Sequence, residues 1–238
     1  NTLITPENDT DYRPKGPFYY TDALSDNAVK FLAEHRRDNP KQPFFLYVAY
    51  TSAHWPMHAP EADIARYRGE YDEGFGPVRE DRYKKALASG VLDPRWPMTA
   101  GTVDWATLPN KEWNARGMEV YAAMVSRMDR GIGRIKDELK RQKALDNTLF
   151  IYLQDNGGCA ENMGRQSNSA QRANFDYKPF GPNDLQPKVW PPMQTRDGRW
   201  VRTGPEAMPG PADTYVAYGE GWANVSNTPF RGFKHDPY

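Results

Sequence analysis

The stretch Thr148-Leu149-Phe150-Ile151-Tyr152-Leu153-Gln154-Asp155-Asn156-Gly157-Gly158 constrains the fold of this chain more than any other. It is an apolar run that stops at two oxygen-bearing side chains and two glycines. Branched and aromatic residues without helical spacing read as a buried strand. Pro43-Phe44-Phe45-Leu46-Tyr47-Val48-Ala49-Tyr50 is a second run of the same kind, the pattern of a strand covered on both faces of a sheet. In an open α/β sheet, chemistry gathers beyond the carboxyl ends of the strands, where Asp155 and Asn156 would stand. A carboxylate beside an amide oxygen is a hard-oxygen pair suited to Ca²⁺ or Mg²⁺, and the glycines let backbone approach a ligand closely. The same residues also make a good Asx-Gly turn, which needs no metal.

Between and around these runs the spacing is helical. Ala28, Val29, Phe31, Leu32 and His35 predict a helix over 25–37, with Ser25 as its N-cap and Asp38-Asn39-Pro40 as its stop. Short helices are expected at 61–67 and 77–89. Residues 111–141 form the longest regular element, with Met118, Tyr121, Ala122, Val125, Met128, Ile132, Ile135 and Leu139 on one apolar face. Gly131 and Gly133 within it are expected to permit close packing against the sheet. Residues 1–17 read as a polar entering loop. Strand, helix and strand with functional loops between them imply an α/β layer. The tract from Cys159 to Asn227 is polar and proline-rich, and reads as a long functional loop. It carries at most a hairpin at 190–202 that turns at Arg196-Asp197-Gly198.

Charge excludes some partners. Lys plus Arg equals Asp plus Glu at 31 each, so no global field steers nucleic acid or an anionic membrane, and any anion site must be local. No run reaches the roughly 20 apolar residues of a membrane span. Cys159 is the only cysteine, so no internal disulfide can form. The chain opens on Asn1 rather than Met and stops at Tyr238 without a closing element, which reads as an internal piece of a longer protein.

Three loop segments hold the candidate groups. His54, with His58 behind it, lies in a loop stiffened by Pro56 and Pro60 just after the first apolar run. Asp155 and Asn156 end the second run. Phe230-Arg231-Gly232-Phe233-Lys234-His235 sets an ammonium and an imidazole among aromatic residues. A hard cation, a proton donor and a positive charge together suit the binding and polarisation of a tetrahedral oxyanion. Individually each has a plainer reading as a solvated loop side chain. His35 sits on a helix and is assigned no chemistry.

These blocks resemble a known family. The run Pro43 to Tyr47 leading to Ala53-His54-Trp55-Pro56, then Tyr121 to Val125 with Met128-Asp129, then Asp146 to Leu149 with Asp155 to Gly158, and finally Asn227 to Arg231 with Lys234-His235, look like successive segments of a bacterial arylsulfatase. The resemblance implies an alkaline-phosphatase-like α/β sandwich, a mixed central sheet with helices on both faces, here incomplete. Residues 1–238 would then be part of a single sulfatase catalytic domain with a loop insertion at about 161–216. It further implies a calcium ion (ahead of magnesium) held partly by Asp155 and Asn156. His54 and Lys234 would be the catalytic and sulfate-binding groups, and the protein would be periplasmic or secreted. The family nucleophile, a formylglycine made in a Cys/Ser-x-Pro-x-Arg motif, is expected outside this chain, because Cys159 is followed by Ala160-Glu161-Asn162-Met163. The fragment alone is expected to be inactive.

The implied substrate is a small-molecule or carbohydrate sulfate ester. Two other readings stay open: a phosphodiesterase or phosphonate hydrolase on the same fold, and a non-catalytic carbohydrate-binding relative. For the last, Trp190, Trp200 and Trp222 are candidate platforms for sugar faces.

Overall fold

The computed structural model describes residues 17–181 and 184–235, so the expected entering loop at 1–16 lies outside the described residues. Its helices are α1 (Tyr20–Asp38), α2 (Glu61–Ile64), α3 (Phe75–Ala88), α4 (Lys111–Arg141), α5 (Ser169–Arg172) and α6 (Glu220–Ser226). Single 3₁₀ turns lie at Ala65–Tyr67 and Leu145–Asn147. The chain divides into two compact units: Asn1–Ser52 with Met124–Leu153, and Ala53–Ala123 with Gln154–Tyr238.

In the first unit, Ala28 and Leu32 of α1 pack with Ile135 and Leu139 of α4, and Val29, Leu46, Val48, Ala144 and Leu145 surround them. Two ion pairs join the same helices, Asp22 with Arg127 and Asp26 with Arg134. α1 starts earlier than expected, at Tyr20, so Ser25 is not its cap. Ser25 is fully buried. Its hydroxyl donates to the Thr21 carbonyl at 3.0 Å and shares a 2.8 Å hydrogen bond with the Tyr50 hydroxyl. Gly131 faces this point: a Cβ there would come within 2.2 Å of Ser25 Oγ. Gly131 thus allows a close approach, though to α1 and not to the expected sheet, while a Cβ at Gly133 would meet nothing within 4 Å.

The apolar runs are not paired into strands among the described residues. The β-bridges found there are isolated ones at His58–Gly210, Gln194–Trp200 and Arg202–Thr214. Residues 43–50 still alternate. Leu46 and Val48 turn to the unit's core, while Phe45 is 93% and Tyr47 79% exposed. In the second run Leu149, Ile151 and Leu153 are 86%, 69% and 71% exposed. The expectation of formed strands covered on both faces is corrected here. A ladder needs a neighbour's N–H and C=O groups, and no ladder joins either run among the described residues. The mixed central sheet is not formed there either.

The second unit is built on aromatic packing. Trp222 of α6 is fully buried, with its ring 4.7 Å from Phe75, 5.6 Å from Tyr71 and 5.9 Å from Trp105. Its indole N–H donates to the Asn114 carbonyl at 2.8 Å. Trp222 therefore cannot serve as a sugar platform, and that expectation is corrected: a large apolar ring with one satisfied donor is core material. Ile64, Met57, Val120, Val216 and Val225 complete the interior. Val201, Thr203, Ala207, Thr214 and Tyr215 are also buried, so the proline-rich tract contributes to this core. It contains α5 and α6 as well as the expected turn, where Thr195 N–H meets the Arg199 carbonyl at 2.8 Å, so the expectation of a hairpin at most is corrected.

Candidate functional site

His54 follows the first apolar run on the proline-braced loop. Its Nδ1 lies 2.8 Å from the carbonyl of Trp55, and its ring centroid lies 4.7 Å from that of Trp55. Lys234 Nζ lies 3.1 Å from His54 Nε2. An ammonium can only donate, so Nε2 accepts and the ring proton sits on Nδ1, where the Trp55 carbonyl receives it. One contact thus fixes the tautomer. Lys234 is half-buried rather than free in solvent, and its main-chain N–H donates to the Gly158 carbonyl at 3.3 Å. This ties it to the loop that carries Asp155 and Asn156.

Asn227, directly after α6, fastens the two loops from the other side. Its Oδ1 accepts the Gly158 N–H at 2.7 Å, and its Nδ2 donates to the Gly232 carbonyl at 3.0 Å. The glycines are needed for this approach. A Cβ on Gly157 would stand 2.8 Å from Asn227 Oδ1, and one on Gly158 would stand 2.9 Å from the Tyr218 hydroxyl. The sequence reading assigned this closeness to a ligand, whereas the structure gives it to Asn227 and Tyr218.

Glu161 is the residue the sequence reading missed. One carboxylate oxygen accepts the Trp55 indole N–H at 2.7 Å and the Cys159 thiol at 3.1 Å. The other lies 2.8 Å from His235 Nε2. Those bonds and the nearby Lys234 charge lower its pKa to about 2, with the Cys159 bond the largest cause and burial opposing. Glu161 therefore holds the neighbour of His54 and the neighbour of Lys234 with one charged group. The only signal in the sequence was its place six residues after Asp155, which has no fixed chemical meaning.

Asp155 and Asn156 are exposed on a bend just before the two glycines. As donors they fit a hard cation, two side-chain oxygens at a loop tip held firmly from behind. Alone they would give two of the roughly six to eight oxygens that calcium takes. A second donor group is distinct from them: ligand atoms of His54, Cys159 and Glu161 lie within 4.8 Å of one another. There the thiol already donates to Glu161 and His54 already accepts from Lys234. His58 stands apart chemically. It is half-buried, bonded through Nε2 to the Thr214 carbonyl at 2.6 Å, and its pKa is lowered chiefly by burial. His35 bonds the Gln42 carbonyl at 3.0 Å.

Residues 1–196 match the sulfatase family. The chain belongs to that family. An arylsulfatase of Klebsiella aerogenes is 31% identical over 91% of this chain and 41% of its own length. An uncharacterized sulfatase of Schizosaccharomyces pombe is 36% identical over 65% of this chain and 29% of its own. A sulfatase of Formosa agariphila is 30% identical over 60% of this chain and 28% of its own. This sulfatase-family chain spans about two fifths or less of the length of the relatives it matches. Among the described residues no helix is long and apolar enough to cross a membrane.

Proposed function

We propose that the whole protein is a sulfuric-ester hydrolase and that this chain carries the part of its site that holds and polarises the sulfate group. The reading is supported most by one contact, the ammonium of Lys234 beside His54 Nε2 at 3.1 Å. Family membership points the same way. An anionic ester entering here draws the Lys234 ammonium onto a sulfate oxygen, which releases Nε2 of His54. The Nδ1–H bond to Trp55 keeps the ring oriented while Nε2, once protonated from solvent water, gives that proton to the ester oxygen as its bond to sulfur breaks. Lys234 meanwhile offsets negative charge on the transferring group. Asp155 and Asn156 would contribute two oxygens to a calcium ion, which supplies Lewis-acid polarisation of the sulfate when bound. No Cys/Ser-x-Pro-x-Arg motif stands in residues 1–238, so the formylglycine nucleophile of this reading comes from elsewhere in the protein. A secreted or periplasmic location fits the same reading.

The test is turnover by the full-length protein of 4-nitrophenyl sulfate beside bis(4-nitrophenyl) phosphate. Preference for the sulfate ester, with loss of activity on chelation of calcium, is the expected result. Preference for the phosphate diester would move the protein to the phosphodiesterase reading.

A further inference from the structure

The aromatic side of the site extends beyond what holding sulfate requires. From His54 the rings run through Trp55 to Tyr215, 5.9 Å from it, and on to Trp190, another 5.9 Å away. Trp190 is 71% exposed, while Tyr215 beneath it is 4% exposed and keeps a buried hydroxyl without a hydrogen-bond partner. An isolated exposed tryptophan needs no explanation. This one is mounted. The guanidinium of Arg172, itself buried, donates to the carbonyls of Pro191 and Pro192, and the Tyr177 hydroxyl bonds the Arg172 carbonyl at 3.0 Å. A buried charged group is thus committed to holding the turn that presents an apolar ring to solvent.

Beside that turn lies an open surface depression of about 310 Å³. Pro191 forms one edge, and Asn162 and Gln166 lie on the segment that leaves Glu161. Asn168 and Thr203 line it too, but their side chains are already bonded within the protein, Asn168 to the Val201 carbonyl and the Thr203 N–H and Thr203 to the Gln166 carbonyl. No charged side chain lines it. An open depression with two amide side chains, one residue along the chain from an exposed indole, suits a group with hydroxyls on its rim and C–H bonds on its face. Sugars have that chemistry, and a sulfate group does not.

We propose that Trp190 and the adjoining depression form a sugar subsite, in which the unit next to the sulfated one in an oligosaccharide stacks on the indole. This deepens the sulfate-ester reading and rests on it: the substrate class becomes a sulfated oligosaccharide rather than a simple aryl sulfate.

Hexasaccharides from carrageenan, chondroitin sulfate and heparin are compared with 4-nitrophenyl sulfate, using the full-length enzyme and its Trp190→Ala and Trp190→Phe variants. For at least one hexasaccharide, Trp190→Ala lowers kcat/KM about tenfold or more relative to 4-nitrophenyl sulfate. The loss falls in KM, and Trp190→Phe recovers most of it. Parallel losses on all four substrates, or no loss on any, overturn the subsite and leave the sulfatase reading standing. If the wild type hydrolyses none of the esters, the sulfatase reading falls instead. Calorimetric titration with the hexasaccharides then decides the subsite: tenfold weaker binding by Trp190→Ala upholds it, and equal or absent binding rejects it.

Discussion

Lys234 and His54 meet across 180 residues of sequence, and the geometry of that meeting separates their chemical and structural roles. Replacing Lys234 with alanine removes the ammonium but keeps the main-chain bond to Gly158. Charge-assisted contacts of this kind are worth about 1.5–3 kcal/mol, roughly ten- to a hundredfold. Lys234→Ala in the full-length enzyme should therefore lower kcat/KM by that factor with the melting temperature nearly unchanged. Arg231→Ala, at an exposed position with no assigned contact, should cost less. Equal activity of Lys234→Ala and wild type would take Lys234 out of the site. Glu161 supports a prediction with a sign. Its carboxyl titrates at about 2 instead of 4.5. Its ionised contacts thus contribute stability above about pH 4.5, and this is lost as pH falls towards 2. Melting curves between pH 5 and pH 2.5 should drop more steeply for wild type than for Glu161→Gln, which cannot gain that proton. Parallel curves would mean that Glu161 is as easily protonated in the folded chain as in the unfolded one.

Among the elements, α4 tests what periodicity can and cannot say. Its bounds follow from its spacing, because a 31-residue helix with one apolar stripe has no competing pattern. Met118, Met128, Ile135 and Leu139 of the expected face are buried, but the buried surface is wider than that face. Val120, Ala123 and Met124 are inside, while Val125 is 36% exposed. Spacing gives a period, but the packing partners set how much of the circumference is covered. Gly131 and Gly133 look alike in sequence and differ in what they face. Gly131→Ala should destabilise by about 1–3 kcal/mol through overpacking against Ser25. Gly133→Ala, in open space within the helix, should stabilise by up to about 1 kcal/mol. Chemical denaturation of both variants reads the difference, and the same sign for both would contradict the packing at Ser25. The site shows the same division. His54, Asp155 and Asn156 could be nominated as candidates because each follows an apolar run, and Lys234 because its block follows in order. Glu161 could not, since its partners Trp55 and His235 lie 106 and 74 residues away and leave no local mark. Trp190 could be read as a platform candidate, but nothing in the sequence separated it from Trp222, which the core absorbed.

At the scale of the whole chain, the apolar runs decide how this polypeptide behaves. Residues 43–50 turn Leu46 and Val48 to the core of their unit, and Phe45 and Tyr47 to solvent. Leu149, Ile151 and Leu153 add three more exposed branched side chains. Extended segments that present apolar side chains to solvent associate readily with other chains. In the α/β sandwich proposed for the whole protein these faces would lie inside, between sheet and helices. The 238-residue chain produced alone should therefore bind a hydrophobic dye such as ANS and self-associate at micromolar concentration. Phe45→Ser with Leu149→Ser should reduce both effects without disturbing the Leu32–Ile135–Leu139 core, because Phe45 and Leu149 point away from it. Light scattering and dye fluorescence follow the two effects together. A monodisperse, dye-negative wild-type chain would show that these side chains are covered within the chain itself, and the placement of both runs would then have to be redrawn.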